Sequence, residues 1–293
     1  MSPLTRREFI GSATAGAAAL MSLPSGLLAA AVAPKKCPTG VQLYSVSSDF
    51  TRDVPGTLAA IKKIGYDGVE FAGYANKTAA DLKKMLDDNG LKACGSHIQG
   101  GLPVLQQDAG LQKEIDFNKT LGNDRLIIAM GNARTADDWS KMADNFSAVA
   151  AKLKPAGLRL GYHNHTAEFT AVDGKIPEYL FFDKASPDVF VQLDVGHCLH
   201  AGGDPVEVIK KYPTRLVTMH IKDWNAKTRG DIVGEGDVKW QDVLAACAPC
   251  PNLQWYTIEE EVSRGGLTSI EKSFKNWVKI LAGEPIPASA PPA

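Results

Sequence analysis

The stretch VFVQLDVGHCLH, residues 189–200, decides the reading of this chain. It opens as a nearly unbroken apolar run rich in β-branched and aromatic residues, the pattern of a strand buried on both faces. Asp194 and His197 then stand three residues apart, where that strand should end. A buried charge is costly unless it is paired or bound to a metal. Taken alone, the pair reads as a satisfied strand-end Asp and a core His. The recurrence of the pattern on other strands overrides that reading.

Outward from this stretch, apolar strand-like segments alternate with amphipathic helical ones. Strands are predicted at residues 40–46, 68–73, 92–98, 125–132, 159–165, 189–197, 215–223 and 254–262. Helices are predicted at about 54–64, 78–89, 112–121, 136–153 and 269–281, where apolar residues repeat at helical spacing. Eight strands alternating with helices over about 250 residues indicate a parallel (β/α)8 TIM barrel. The rival, a doubly wound open sheet, would carry a Gly-rich phosphate turn after its first strand, and none is present.

The termini read differently. Thr5, Arg6, Arg7, Glu8 and Phe9 form a twin-arginine pattern, and an Ala/Leu-rich segment follows. Small residues at Ala29 and Ala31 suit a signal peptidase. The expectation is a leader over residues 1–31, one barrel domain over 32–283 and a Pro/Ala-rich disordered tail over 284–293. The twin-arginine machinery would then deliver the folded protein to the periplasm, a route often used after cofactor loading.

Charge is nearly balanced, 32 basic against 33 acidic residues, so no electrostatic footprint for nucleic acid is present. Loss of Arg6, Arg7 and Glu8 with the leader makes the remainder slightly more acidic. A hydrophobic share of 44% suffices for one large core. Of the five cysteines only Cys247 and Cys250 have motif spacing. A zinc knuckle would need a second pair, though the spacing admits a local disulfide in an oxidising compartment.

Barrel active sites lie at the C-terminal ends of the strands. Those ends carry Glu70, His97, His163, His165, Asp194, His197, His220, Asp223, Glu259 and Glu261. Five of the six histidines gather there, which is the strongest functional signal in the sequence. Residues two apart on a strand share a face, so Asp194, His220 and Glu259 can converge, with His163 as a fourth ligand. A mixed carboxylate and imidazole set suits one divalent cation, whether Mn, Co, Zn, Fe or Mg. The absence of Cys argues against a closed structural zinc site. Lys222 and Trp224, just past His220, are expected substrate contacts, as are Glu70, His97, His197 and Asp223; Trp224 reads equally as rim packing, and Glu70 equally as the partner of a barrel cation. The Gly234-Glu235-Gly236 run reads as a turn ordering the rim rather than a phosphate cradle.

The chain resembles the xylose-isomerase-like TIM-barrel superfamily, often labelled sugar phosphate isomerase/epimerase. The resemblance rests on GVEF, GYHNHTAEF, LDVGH, MHIKD, VGEGDVKWQDVL and YTIEEE, in that order along the chain. It implies metal ligands at an acid on the fifth strand, Asp on the sixth, His on the seventh and Glu on the eighth. The last three fall on Asp194, His220 and Glu259. The fifth-strand position falls on His163, which departs from the family's acid. Glu168, five residues on, or His165 is then expected to serve as base beside Glu259, and His197 matches the family's substrate-contacting His.

The mechanism so implied is proton abstraction next to a carbonyl, with a metal-stabilised enediolate. Isomerisation, epimerisation, and elimination from an inosose or 3-keto-glycoside share that first step. Export favours an unphosphorylated sugar or keto-sugar. Two further classes compete: an exported sugar-binding protein without turnover, and a metal-dependent nuclease resembling endonuclease IV, which the charge disfavours.

Overall fold

The structure, a computed structural model, describes residues 34–131, 133–262 and 265–286. The expected leader and residues 287–293 of the expected tail lie outside the described residues. Eight parallel strands close into a barrel in sequence order. They are β1 (Thr39–Gln42), β2 (Gly68–Phe71), β3 (Lys92–His97), β4 (Arg125–Ile128), β5 (Arg159–His163), β6 (Val189–Asp194), β7 (Leu216–Ile221) and β8 (Trp255–Ile258). The (β/α)8 barrel expected from the alternation is therefore the fold.

Side-chain chemistry sets where helices begin. Thr135 caps Ala136–Leu153 and forms a reciprocal capping box with Asp138. Thr78 accepts from the Asp81 amide at the start of Ala79–Asp88. Prolines occupy the first turn of Val54–Ile64, Pro177–Lys184 and Pro205–Lys211, where a missing N–H costs nothing. The closing helix, Gly266–Ala282, begins three residues before its predicted start.

Strands are shorter than predicted, because the chain turns as soon as it leaves the barrel wall. The sixth is the informative case. It ends at Asp194, and Val195–His200 is helical rather than extended. The Asp194 side chain accepts from the His197 amide at 2.6 Å and so caps that short helix. The three-residue spacing of the Asp and His is thus a helix-start geometry.

The apolar core lies mainly between strands and helices. Inside the barrel, Ile127, Phe190 and Val217 form a small second cluster. Gly161 makes room for it, since a Cβ there would stand 2.2 Å from the Phe190 ring. Above this plug the interior turns polar. Gln42, Glu70, Gln192 and Thr218 are all fully buried, and Gln192 donates to both Glu70 and Thr218 at 2.7 and 2.8 Å.

Two expectations at the edges change. Ile286, in the segment expected to be disordered, packs against the core and against Gly234. Cys247 points to the Met219 sulfur at 3.9 Å while Cys250 points back to the Ala246 carbonyl at 3.6 Å. The two thiols are buried, free and separately directed. Among the described residues, no helix is long and apolar enough to cross a membrane.

Candidate active site

Register carries four side chains to one level at the C-terminal mouth. Asp194 pairs with His220 across β6 and β7, and Glu259 follows directly on β8. His163 ends β5. The ligand atoms of His163, Asp194, His220 and Glu259 all lie within 4.8 Å of one another, and all four residues are buried. The structure thus brings the four predicted ligands together.

The donor set passes a test of fit for a divalent cation. His163 Nδ1 and Asp194 Oδ2 are buried without a hydrogen-bond partner, an expensive state for a native interior. Burial, reinforced by the neighbouring histidines, holds the His163 imidazole well below its ordinary pKa, so it stays neutral. A neutral imidazole is the form that binds metal. Burial opposes ionisation of Glu259, yet Lys222 and His220 hold its carboxyl well below the usual range. Burial raises Asp194.

His220 is held from both sides. Its Nδ1 faces Glu259 at 2.9 Å and Asp194 at 3.9 Å, while its Nε2 meets Glu70 at 2.6 Å. Against its burial, Glu259 and Glu70 push its pKa up to about 10. Metal binding competes with the proton on an imidazole, so a cation held by this residue would have to replace that charge. Glu70 is the supporting carboxylate. It also receives Gln42 at 2.8 Å, Gln192 at 2.7 Å and His97 at 2.9 Å. Gly95 makes this close packing feasible, since a Cβ there would stand 2.5 Å from Glu70 Oε2. Fully buried, surrounded by donors and absent from the cavity lining, Glu70 takes the second of its two expected roles, pairing with and orienting His220.

Two expectations need correcting. Glu168, proposed as a base, accepts from the Tyr162 hydroxyl at 2.5 Å and the His165 amide at 2.7 Å. It is buried away from the cavity and fixes the loop that carries His165. Asp223, expected to touch substrate, is buried and accepts from the Trp224, Gly234 and Val238 amides and from the Trp240 indole. It organises the loop after β7, including the GEG turn. Trp224 stacks on His200 with ring centroids 3.7 Å apart, which fits the rim-packing alternative.

A second group lies beside the first. His165, His197 and Glu261 bring their ligand atoms within 4.8 Å. Lys222 is already seated there, 2.5 Å from Glu261 and 3.1 Å from His197. It also stands 3.6 Å from Glu259 and 4.0 Å from Asp194. Burial and the charge of His197 lower the His165 pKa to about 4. Against its own burial, Asp194 and Glu261 raise that of His197. The two rings lie 4.8 Å apart, so one imidazole is kept neutral beside another biased toward the cation.

A cavity of about 820 Å³ opens onto these groups, lined by His97, His163, His165, Glu259 and Glu261 at one end. Gln42, Gln192 and Asn164 were missed from sequence. Asn164 accepts from the Asp194 amide at 2.9 Å and donates to its carbonyl at 3.1 Å, pinning β5 to β6. A glutamine inside the apolar VFVQLD run was the available signal for Gln192.

The closed parallel barrel and its cluster of buried imidazoles and carboxylates at the C-terminal mouth define the class: a TIM barrel with an enzyme-like site at the catalytic face. The family model described as xylose isomerase-like TIM barrel matches residues 58–271, and the chain belongs to that family. It is similar to the inosose dehydratase of Lacticaseibacillus casei, 24% identical over 264 residues, covering 77% of this chain and 88% of that one. Among solved structures it is similar to a sugar phosphate isomerase/epimerase from Parabacteroides distasonis. That match has a TM-score of 0.70 and 26% identity, covering 87% of this chain and 97% of the other. The fold is also that of the IolI protein with a binding zinc atom, with a TM-score of 0.66 and 14% identity, covering 84% and 98% of the two chains.

Proposed function

We propose that the chain is a divalent-metal-dependent enzyme that removes a proton next to the carbonyl of an unphosphorylated keto-sugar or keto-polyol. The observation that supports this most is the convergence of His163, Asp194, His220 and Glu259 from four successive strands, with two buried polar atoms among them lacking a hydrogen-bond partner. The IolI structure, which shares the fold and has a binding zinc atom, lends support to a divalent cation here. A cation held by those four residues would supply Lewis acidity toward the substrate's carbonyl oxygen.

The chain's own residues then divide the proton work. Paired titratable groups whose environments push their pKa values apart mark the acid and the base. His165, neutral at physiological pH and open to the cavity, takes the proton. His197, bonded to Glu261 on the cavity wall at 3.1 Å, serves as the acid. Lys222 places a fixed positive charge against developing negative charge. Return of the proton to carbon gives isomerisation or epimerisation.

Elimination is the second reading, and two observations favour it. His163 stands where the resemblance to the family's epimerases implies a second acid. The inosose dehydratase relative points the same way. We extend the proposal to location: the twin-arginine pattern at Arg6 and Arg7 would place the enzyme in the periplasm, tested by fractionation after Arg6→Lys and Arg7→Lys are combined.

The test of function is a panel of ketohexoses and inososes in deuterated water with added divalent metal, followed by NMR. The expected result is metal-dependent exchange at the carbon beside the carbonyl, with a conjugated enone appearing if elimination follows. Metal-loaded protein that exchanges none of the panel would overturn the proposal in favour of a sugar-binding protein.

A further inference from the structure

Two groups of metal-ligating side chains lie side by side at the mouth of the barrel. The first, His163, Asp194, His220 and Glu259, is buried, and two of its polar atoms lack a hydrogen-bond partner. The second, His165, His197 and Glu261, is half-buried, and His165 and Glu261 line the cavity. Its spacing is that of a chelate. His197 Nε2 and Glu261 Oε2 stand 3.1 Å apart, near the separation of about 3.4 Å between two ligands on one tetrahedral zinc ion.

The second group differs from the first in that a charged side chain already sits in it. The Lys222 ammonium is 2.5 Å from Glu261 Oε2 and 3.1 Å from His197 Nε2. It also stands 3.6 Å from Glu259 Oε2 and 4.0 Å from Asp194 Oδ2, so it lies between the two groups. Lys222 is buried one residue beyond β7, and its stem is seated against Gly196, where a Cβ would stand 2.8 Å from its Cγ. One ammonium offsets the one carboxylate of this group. A divalent ion on the same donors would instead meet a like charge at contact range, which repels it.

We propose that Lys222 is the built-in second cation of this site. Its ammonium holds the position that His165, His197 and Glu261 would otherwise offer to a divalent ion, and so fixes the metal number at one. What this does for the chemistry rests on the proton-transfer reading above. Metal and proton compete for the same imidazole nitrogen. A second ion on His165 and His197 would disable the proposed base and acid together, whereas an ammonium supplies positive charge and leaves both imidazoles unligated. Two-ion sites suit a different task, clamping the attacking and leaving oxygens of a displacement. Lys222 thereby keeps the mouth to proton transfer at carbon.

The test counts bound metal. Full-length untagged wild type, Lys222→Ser, Lys222→Arg, and Lys222→Ser combined with Glu261→Gln are dialysed to equilibrium against Zn²⁺, which imidazole-rich sites accept well. Elemental mass spectrometry gives ions per chain, and circular dichroism checks the fold. Lys222→Gln takes the place of Lys222→Ser throughout if the serine variant does not fold. Lys222→Ser is expected to hold one ion more than the wild type. Lys222→Arg, which keeps the charge, should match the wild type, and the double variant should lose the extra ion. Equal counts in wild type and Lys222→Ser would overturn the proposal, as would a wild type that holds two ions. An extra ion in Lys222→Arg would overturn the role of charge, and one retained in the double variant would overturn the location. The proposed function fails on a different result, a wild type that holds no ion, because the role of Lys222 is read from the difference between the proteins.

Discussion

Glu70→Gln is the substitution that most directly probes how the site is held. Gln is nearly isosteric with Glu, so packing beside Gly95 is preserved. What changes is hydrogen bonding. In the native chain Glu70 Oε1 receives Gln42, His97 and His220, and Oε2 receives Gln192. A Gln offers one oxygen and one NH2, so whichever way it turns, its NH2 faces at least one buried donor. One unsatisfied buried donor costs about 1–3 kcal/mol. His220 and His97 also hold the native carboxyl well below the usual range against its burial. Its loss removes the partner that fixes His220 Nε2 and leaves Nδ1 aimed at Asp194 and Glu259. Removal of such a supporting group typically costs about 10–100-fold in metal affinity. The assay is a chelator-competition titration of metal affinity, paired with thermal unfolding. A domain of this size loses about 2–4 °C in Tm per kcal/mol, so a fall of several degrees should accompany the weaker affinity. Native affinity and native Tm in Glu70→Gln would refute this account of the barrel's polar interior.

Three further outcomes follow from the same geometry. His165→Ala should keep its metal but lose about 10²–10⁴-fold in substrate proton exchange; undiminished exchange in deuterated water would move the base to Glu259. Asp223→Ala strips an acceptor from four donors at the β7 loop and should cost about 3 kcal/mol in urea unfolding, where an unchanged midpoint would contradict the loop assignment. Burial pushes the Glu260 carboxyl up to about 7 from an ordinary 4.5, against a hydrogen bond from Ser273. Between those values the folded chain keeps a proton that the unfolded chain has lost, so stability falls as pH rises through that window and the loss is complete above it. Glu260→Gln should flatten this slope, worth at most about 3 kcal/mol. Parallel stability curves for the two proteins from pH 5 to 8 would refute it.

What was legible in the sequence follows from what one chain can encode locally. Strand–helix alternation is a local periodicity, and the fold follows from it. The four converging residues were legible because a barrel sends the ends of its strands to one rim, so motif position alone located His163, Asp194, His220 and Glu259. The roles of Glu70, Glu168 and Asp223 were not legible. Each sits at a strand end beside functional residues, and only distances show that its oxygens are occupied by Gln42, Tyr162 or Trp240 rather than free. The same applies to Lys222, whose contacts with Asp194, Glu259 and Glu261 depend on the register of β7 against β6 and β8.

The most direct measurement of the central claim is the metal content of the purified protein, wild type beside Asp194→Ala and His220→Ala, by elemental mass spectrometry after equilibration with Mn²⁺, Co²⁺ or Zn²⁺. Circular dichroism would confirm that each variant remains folded. The account predicts about one tightly held divalent ion per wild-type chain and none in either variant. A wild-type protein that takes up no metal, or folded variants that retain it fully, would contradict it.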